Sequence, residues 1–272
     1  MVKFYTLSYS YDYSFPAVCL AYFLRYPNPY STHVLSTDVI DSEYSAEAQQ
    51  LTTYRLHLKK SKLPTAVLKL VPRSLLGASE KGDSESYILE RSIVNVKEGW
   101  MRTESKNLDW TGVLSVIESQ EYRRPNGTFG DIARADPLKQ PTRETTDVTT
   151  TVTLRSHVGE NLRKRRARMA EAAATNDQEA QPTMGFFRTW TTGSIQRSVE
   201  LIGLRRAEGA QPKAKEGMKV VLERLRQGGL VAVLEGMRKD RELMFAGMNA
   251  PPPPPQIERQ ESSAVDIDWQ DS

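Results

Sequence analysis

The chain has 272 residues, 39% of them hydrophobic and 26% charged, and its 37 basic and 34 acidic side chains leave a formal charge of only +3. That length holds one large domain or two small ones with a substantial core, and so small a net charge argues against wholesale nucleic-acid binding. A single cysteine, Cys19, excludes an intramolecular disulfide framework and a cysteine-built zinc site, and no apolar run reaches the roughly eighteen residues that cross a bilayer.

Residues 2–11 alternate with the period of a strand, Val2, Phe4 and Thr6 on one face and Lys3, Tyr5 and Leu7 on the other. With Lys3 so early, this is the pattern of neither a signal peptide nor an arginine-rich transit peptide. Ser14 and Pro16 mark a helix start, because proline in the first turn forfeits no hydrogen bond. Val18, Cys19, Tyr22 and Phe23 supply its apolar stripe. That helix must stop near Arg25, since Pro27 and Pro29 fix their own φ and push Tyr26 and Asn28 out of the helical region. The decapeptide Arg25-Tyr26-Pro27-Asn28-Pro29-Tyr30-Ser31-Thr32-His33-Val34 is therefore a stiff turn holding a guanidinium, two tyrosines and an imidazole in one place.

Strands are predicted at 33–41 and 50–59, joined by a polar 42–49 segment, then at 86–97, 100–109, 112–122 and 146–158, with a last one at 186–192. Gly99 and Asp109-Trp110-Thr111-Gly112 supply turns between them. Short connections imply an antiparallel meander. A long late helix follows, with Ile195, Val199 and Ile202 on one stripe and Met218, Val221, Leu222 and Leu225 on a second. Pro212 should kink or interrupt it and Gly228-Gly229 should end it. Leu230 to Met244 is a further amphipathic piece that either packs or floats. The fold class is thus α+β: a curved antiparallel sheet of about six or seven strands, with a short N-terminal and a long C-terminal helix enclosing a cavity suited to an apolar ligand. The domain is expected over 1–240, with inserts at about 125–145 and 160–183. Residues 241–272, with five consecutive prolines and an acidic end, read as a disordered tail.

No catalytic or metal site is legible. His33, His57 and His157 are far apart with no ligand spacing, and there is no glycine-rich phosphate loop or nucleophile elbow. What stands out is a set of cations: Arg25 at the first helix end, His33 at a strand start, Lys59 and Lys62 at a strand end, and Arg206 and Lys213 two turns apart on the late helix. Cations converging on a cavity are costly without an anion, and a phosphate monoester supplies one. Taken singly, each is more commonly a solvated surface charge. Leu63 to Leu76 is an apolar loop bounded by prolines, with Leu63, Pro64, Val67, Leu68, Leu70 and Val71 as its contact residues; it must either bury or touch something. The basic run Leu162 to Arg168 is either a solvated loop or a contact for anionic lipid or RNA.

The proline turn, the Lys59-Lys60-Ser61-Lys62-Leu63-Pro64 element, Tyr87-Ile88-Leu89-Glu90 with Ser92-Ile93-Val94, Asn107-Leu108-Asp109, Gly203-Leu204-Arg205-Arg206 and Lys213 with Gly217 resemble one family. It is the PRELI/Ups (slowmo-related) family of mitochondrial intermembrane-space lipid-transfer proteins, and the branch most resembled carries phosphatidic acid. The likeness covers about residues 1–125, 146–158 and 184–227. It implies a non-enzymatic phospholipid shuttle between the mitochondrial outer and inner membranes that feeds cardiolipin synthesis. The headgroup would lie on Arg25, His33, Lys59, Lys62, Arg206 and Lys213, and the 63–76 loop would be a lid that contacts the membrane. The resemblance further implies a small helical partner of the twin Cys-x9-Cys type and no cofactor. Two departures stand out: Ala210 replaces an Asn typical of the late helix, with Pro212 close behind, and both inserts are longer than the family pattern. The phosphatidylserine branch typically reads Met-Asn where this chain has Tyr30-Ser31, which ranks that cargo second. A lipid-modifying enzyme or a non-extracting membrane adaptor would be a different class of answer.

Overall fold

The computed structural model describes residues 2–62, 83–125, 144–157 and 192–249. Seven strands form one antiparallel sheet: β1 (Val2–Tyr11), β2 (Val34–Ser45), β3 (Gln50–Lys62), β4 (Asp83–Asn95), β5 (Trp100–Asn107), β6 (Leu114–Arg123) and β7 (Thr146–Ser156). Their spatial order is β1-β7-β6-β5-β4-β3-β2, so the meander runs from β2 to β7 and β1 returns beside β7. β1 and β2 consequently lie on opposite edges, and the chain between them must cross a whole face of the sheet. Helix α1 (Phe15–Phe23) and the proline turn make that crossing, burying Phe15, Val18, Cys19, Ala21 and Tyr22 as the apolar stripe requires. The Tyr26–Pro27 peptide bond in the turn is cis.

The second helix, α2 (Thr192–Asn249), lies on the same face, against α1, β1 and β7. Two glycines let it approach closely. A Cβ on Gly203 would lie 3.1 Å from Leu114 Cδ2, and one on Gly217 only 2.8 Å from Asn28 Oδ1. Helical backbone angles continue through Pro212, so the expected interruption there does not occur. Proline removes one N–H, but Glu208, whose carbonyl loses that bond, is exposed and water can take its place. The break comes at Gly228 and Gly229, the latter at φ 61, and separates α2 into two arms. The second arm packs back through Val233 and Met244, and Asp240 accepts two hydrogen bonds from Arg224 at 2.6 and 3.2 Å. It runs to Asn249, past the domain boundary expected at 240. The predicted 186–192 strand lies outside the described residues except for Thr192, which is helical. Almost all of both expected inserts, and the tail beyond Asn249, also lie outside them.

Strand register shows where the core sits. Along one inner-face row, Val94, Met101, Tyr122, Val148 and Tyr9 are successive partners across β4, β5, β6, β7 and β1. This apolar row packs under α1 and the Met218, Val221, Leu222 stripe of α2. Two residues further along the strands the same face turns polar: Thr53, Ser92, Thr103, Gln120 and Thr150 form the next row, and Arg55, Glu90, Ser105, Glu118 and Val152 the one after. Among the described residues, the main hydrophobic cluster therefore fills one end of the space between sheet and helices.

Candidate ligand-binding site

Above those polar rows the α2 face carries Arg206, Gly209, Ala210, Gln211, Lys213 and Ala214. Small residues replace the apolar stripe between the two close-approach glycines, which are about 21 Å apart at 1.5 Å per residue. No large apolar side chain descends from the helix there, and the result is a hollow of about 560 Å³, within the roughly 300–1,000 Å³ usual for ligand sites. An apolar interior was the expectation from sequence. Among the described residues the lining is instead mixed, with Tyr9, Tyr11, Tyr22, Tyr26 and Tyr122 joined by Thr103, Ser105, Gln120, Glu90 and Glu118, and Ile88, Met218 and the alanines as its wholly apolar members.

At the floor is a buried ion network that the sequence did not reveal. Glu90 projects from β4, and its carboxylate accepts hydrogen bonds from Arg25 at the end of α1, from Arg55 on β3 (Nε at 2.9 Å, NH2 at 2.5 Å) and from His57 (Nε2 at 3.2 Å). Arg55 also donates to the Phe23 carbonyl (3.0 Å) and Arg25 to that of Tyr22 (2.7 Å), so the network ties α1 to the middle of the sheet. Burial alone would raise the pKa of Glu90. Arg25, the His57 hydrogen bond and Arg55 outweigh it and hold the carboxyl well below its usual range. Burial lowers the pKa of His57, and the pull of Glu90 does not reverse this. The ring is therefore neutral, with Nε2–H donated to Glu90 and Nδ1 accepting from the Thr37 hydroxyl at 2.9 Å. The Arg25 guanidinium lies 3.7 Å from the Tyr22 ring centre and 4.6 Å from that of Tyr26. Burial would raise the phenol pKa of Tyr26, but Arg25 and Lys59 more than offset it and the value falls below the usual one.

The rim is cationic. His33, Lys59, Arg206 and Lys213, drawn from the turn, β3 and α2, all line the hollow. They are close enough that partial desolvation, then Lys59, Arg206 and Lys213, push the His33 pKa down to about 4, although the residue keeps a substantial exposed surface. With the neutral His33 left out and Arg25 and Lys60 added, five cations face two carboxylates, Glu90 and Glu118, among the described lining residues. Of the six predicted headgroup residues, five thus converge on one hollow: Arg25 at the floor, already engaged with Glu90, and the other four at the rim. Lys62 ends β3, paired in register with Asp83, and its side chain lies outside the described residues, as does the whole of the predicted lid from Leu63 to Leu76.

The Asn28 side chain orders the turn that carries these groups. Its Nδ2 donates to the Arg25 carbonyl at 2.5 Å and its Oδ1 accepts from the Tyr30 N–H at 2.8 Å. Gly217 of α2 packs on that same amide, which brings Lys213, one turn away, to the rim. On the opposite wall, Glu118 Oε1 accepts from Gln120 (2.7 Å) and from Gln211 of α2 (3.2 Å), a second polar tie between sheet and helix.

The profile of the PRELI-like family matches residues 16–128, the stretch that carries α1, the proline turn and β2 to β6. Against "Protein UPS1, mitochondrial" of Saccharomyces cerevisiae the chain is 38% identical over 133 residues, covering 49% of this chain and 70% of that protein. The chain belongs to the PRELI-like family. The "Protein ups1 homolog" of Schizosaccharomyces pombe is 36% identical over 109 residues, 40% of this chain and 57% of that one. "PRELI domain-containing protein 1, mitochondrial" of Bos taurus is 32% identical over 123 residues, 45% and 52% of the two chains. The chain thus spans only a little over half the length of the latter two relatives. Among solved structures, the Zhui aromatase/cyclase from a Streptomyces species aligns over 84% of this chain and 98% of its own with 8% identity and a TM-score of 0.41, too loose a likeness to bear on function.

Proposed function

We propose that this protein is a non-enzymatic phospholipid-transfer protein of the mitochondrial intermembrane space. It carries phosphatidic acid between the outer and inner membranes and so supports cardiolipin synthesis. The observation that carries this reading is the convergence of Lys59, Arg206 and Lys213, with the neutral His33 beside them, on one rim of a 560 Å³ hollow between sheet and helix. So many cations around one space favour an anionic guest, and a terminal phosphate presents the most acceptor oxygens to them. Arg25, clamped by Glu90, forms the floor beneath the phosphate and sets local positive potential. Lys62 at the end of β3 and the loop from Leu63 through Pro64, Val67, Leu68, Leu70 and Val71 complete the site as further cation and as lid. The acyl chains are shielded between sheet and helix. Family membership supports the mitochondrial address, since the relatives are named mitochondrial proteins, and a small twin Cys-x9-Cys helical partner would retain the domain there. Binding and release suffice for such a shuttle, with no catalytic residue and no cofactor.

The test is transfer of labelled phosphatidic acid between two vesicle populations. Lys59→Glu with Lys213→Glu should reduce transfer by about a hundred-fold, as two lost charge-assisted contacts of roughly 1.5 kcal/mol each imply. Transfer unchanged by that pair sinks the assignment. One observation favours a second reading, phosphatidylserine as cargo. Glu118 lines the same hollow and could accept from an ammonium group. Transfer of the serine lipid lost in Glu118→Gln, with phosphatidic acid spared, would establish it.

A further inference from the structure

The second arm of α2, beyond Gly229, carries a face that neither the core nor the hollow uses. Leu230, Val231, Leu234 and Phe245 there are 48%, 66%, 50% and 52% exposed. At 3.6 residues per turn these four, together with Arg238 and Arg241, fall within an arc of about 100°. The buried Val233, Asp240 and Met244 cluster about 110° round the arm from the centre of that arc, and Leu243, 70% exposed, falls outside it. No Asp or Glu falls inside the arc; Glu235 and Glu242 lie at its margin. Arg238 Nε is 3.7 Å from Glu242, but both side chains are well over half exposed, and such a pair screens the arginine only weakly.

Single exposed apolar residues are ordinary on a protein surface, whereas several on one helical face are not. The two arginines between them identify the kind of surface this face fits. A folded partner would have to supply acids opposite each one. An anionic bilayer asks for less. Apolar side chains enter the boundary between headgroups and acyl chains, while arginine stems lie along it and their guanidinium groups reach lipid phosphates. The Arg224–Asp240 pair holds the arm against the domain, so a bilayer bound to the arm is bound to the whole protein.

We propose that the Leu230–Phe245 face is an interfacial membrane-contact surface, lying in the plane of an anionic bilayer and separate from the cargo hollow. It requires no lipid in the hollow, so it stands or falls apart from the transfer reading. The test uses the full chain and flotation with phosphatidylcholine vesicles, with or without phosphatidylserine. The wild type should float with the anionic vesicles and be released by salt. Leu234→Asp with Phe245→Ala should lower partitioning about ten-fold or more, each methylene removed from the interface weakening binding. Arg238→Gln with Arg241→Gln should abolish the preference for anionic lipid. Because all four side chains are exposed, thermal unfolding should be unchanged, which separates lost binding from lost folding. Val231→Cys carrying an environment-sensitive fluorophore should report a drier surrounding on anionic vesicles. A wild type that stays in solution, variants that float as well as it does, or a silent probe at 231 on bound protein would overturn the proposal. So would sedimentation showing a wild-type dimer that Leu234→Asp converts to monomer, since the face would then join two copies of the chain.

Discussion

Glu90→Gln tests the structure at its most heavily charged point. The substitution keeps the side chain's shape but leaves Arg25 and Arg55 without their shared carboxylate, Glu90 and Arg55 being only 2–3% exposed. Removing one partner of a buried ion pair costs about 3–5 kcal/mol, because the remaining charge stays desolvated. For a domain of 150–250 residues each kcal/mol shifts the melting temperature by about 2–4 °C, so the variant should melt about 6–20 °C lower. Thermal unfolding followed by circular dichroism, with urea titration of both proteins, gives the number. Adding Arg55→Met to Glu90→Gln should recover part of the loss, since an apolar replacement removes one of the two stranded charges. The pH dependence has a definite sign. Glu90 has its carboxyl held well below the unfolded value in the fold, so its contribution is fully present above about pH 4.3 and is lost as pH falls toward the folded value. The variant should lack that part of the acid limb. A loss smaller than about 1 kcal/mol, the worth of an ordinary hydrogen bond, would mean that water reaches the two guanidinium groups and that the network is not a sealed floor.

Three further outcomes follow from single residues. His33 should titrate near pH 4 by proton NMR, and Lys213→Met should raise its midpoint; a His33 titrating at the ordinary value would show that the rim cations are not gathered around it. Since that folded pKa lies below the unfolded one, acidification through this window disfavours the folded state, the same sign as for His57. Gly217→Ala drives a methyl into the Asn28 amide and should cost about 1–3 kcal/mol in urea unfolding; a neutral result would mean that helix and turn part without effort. Cys19 is buried with its thiol pushed up to about 12, so an aromatic disulfide reagent should react only at the rate of unfolding. Rapid labelling of the folded protein would show α1 detached from the sheet.

Much of the architecture was legible because strands and helices write their burial into the sequence at fixed periods. The alternation in 2–11, the apolar stripe of α1 and the glycine pair at 228–229 each report a local geometric demand, and each element formed. Pro212 does not interrupt the helix, because its cost depends on whether the carbonyl it orphans meets water, which is a property of placement. The cations could be picked out as a set, but Arg55, His57 and Glu90 could not. Each falls on an inward position of its strand, where a charge is anomalous, and that anomaly was the available signal. Reading it required knowing that β3 and β4 pair so that Arg55 faces Glu90.

Taken alone, the amino-acid sequence determined which segments are strands and helices, where the chain must turn between Arg25 and Val34, and which family motifs it carries. These depend on dihedral restrictions and side-chain periodicity, which act over a few residues. The tertiary structure decided that the sheet's inner face is apolar at one end and polar in its middle, that Glu90 gathers two arginines, and that small residues of α2 span an open hollow. Those features join positions up to about two hundred residues apart, as where Gly217 meets Asn28. Close packing and the need to compensate buried charge select them, and both act only once the chain has closed upon itself.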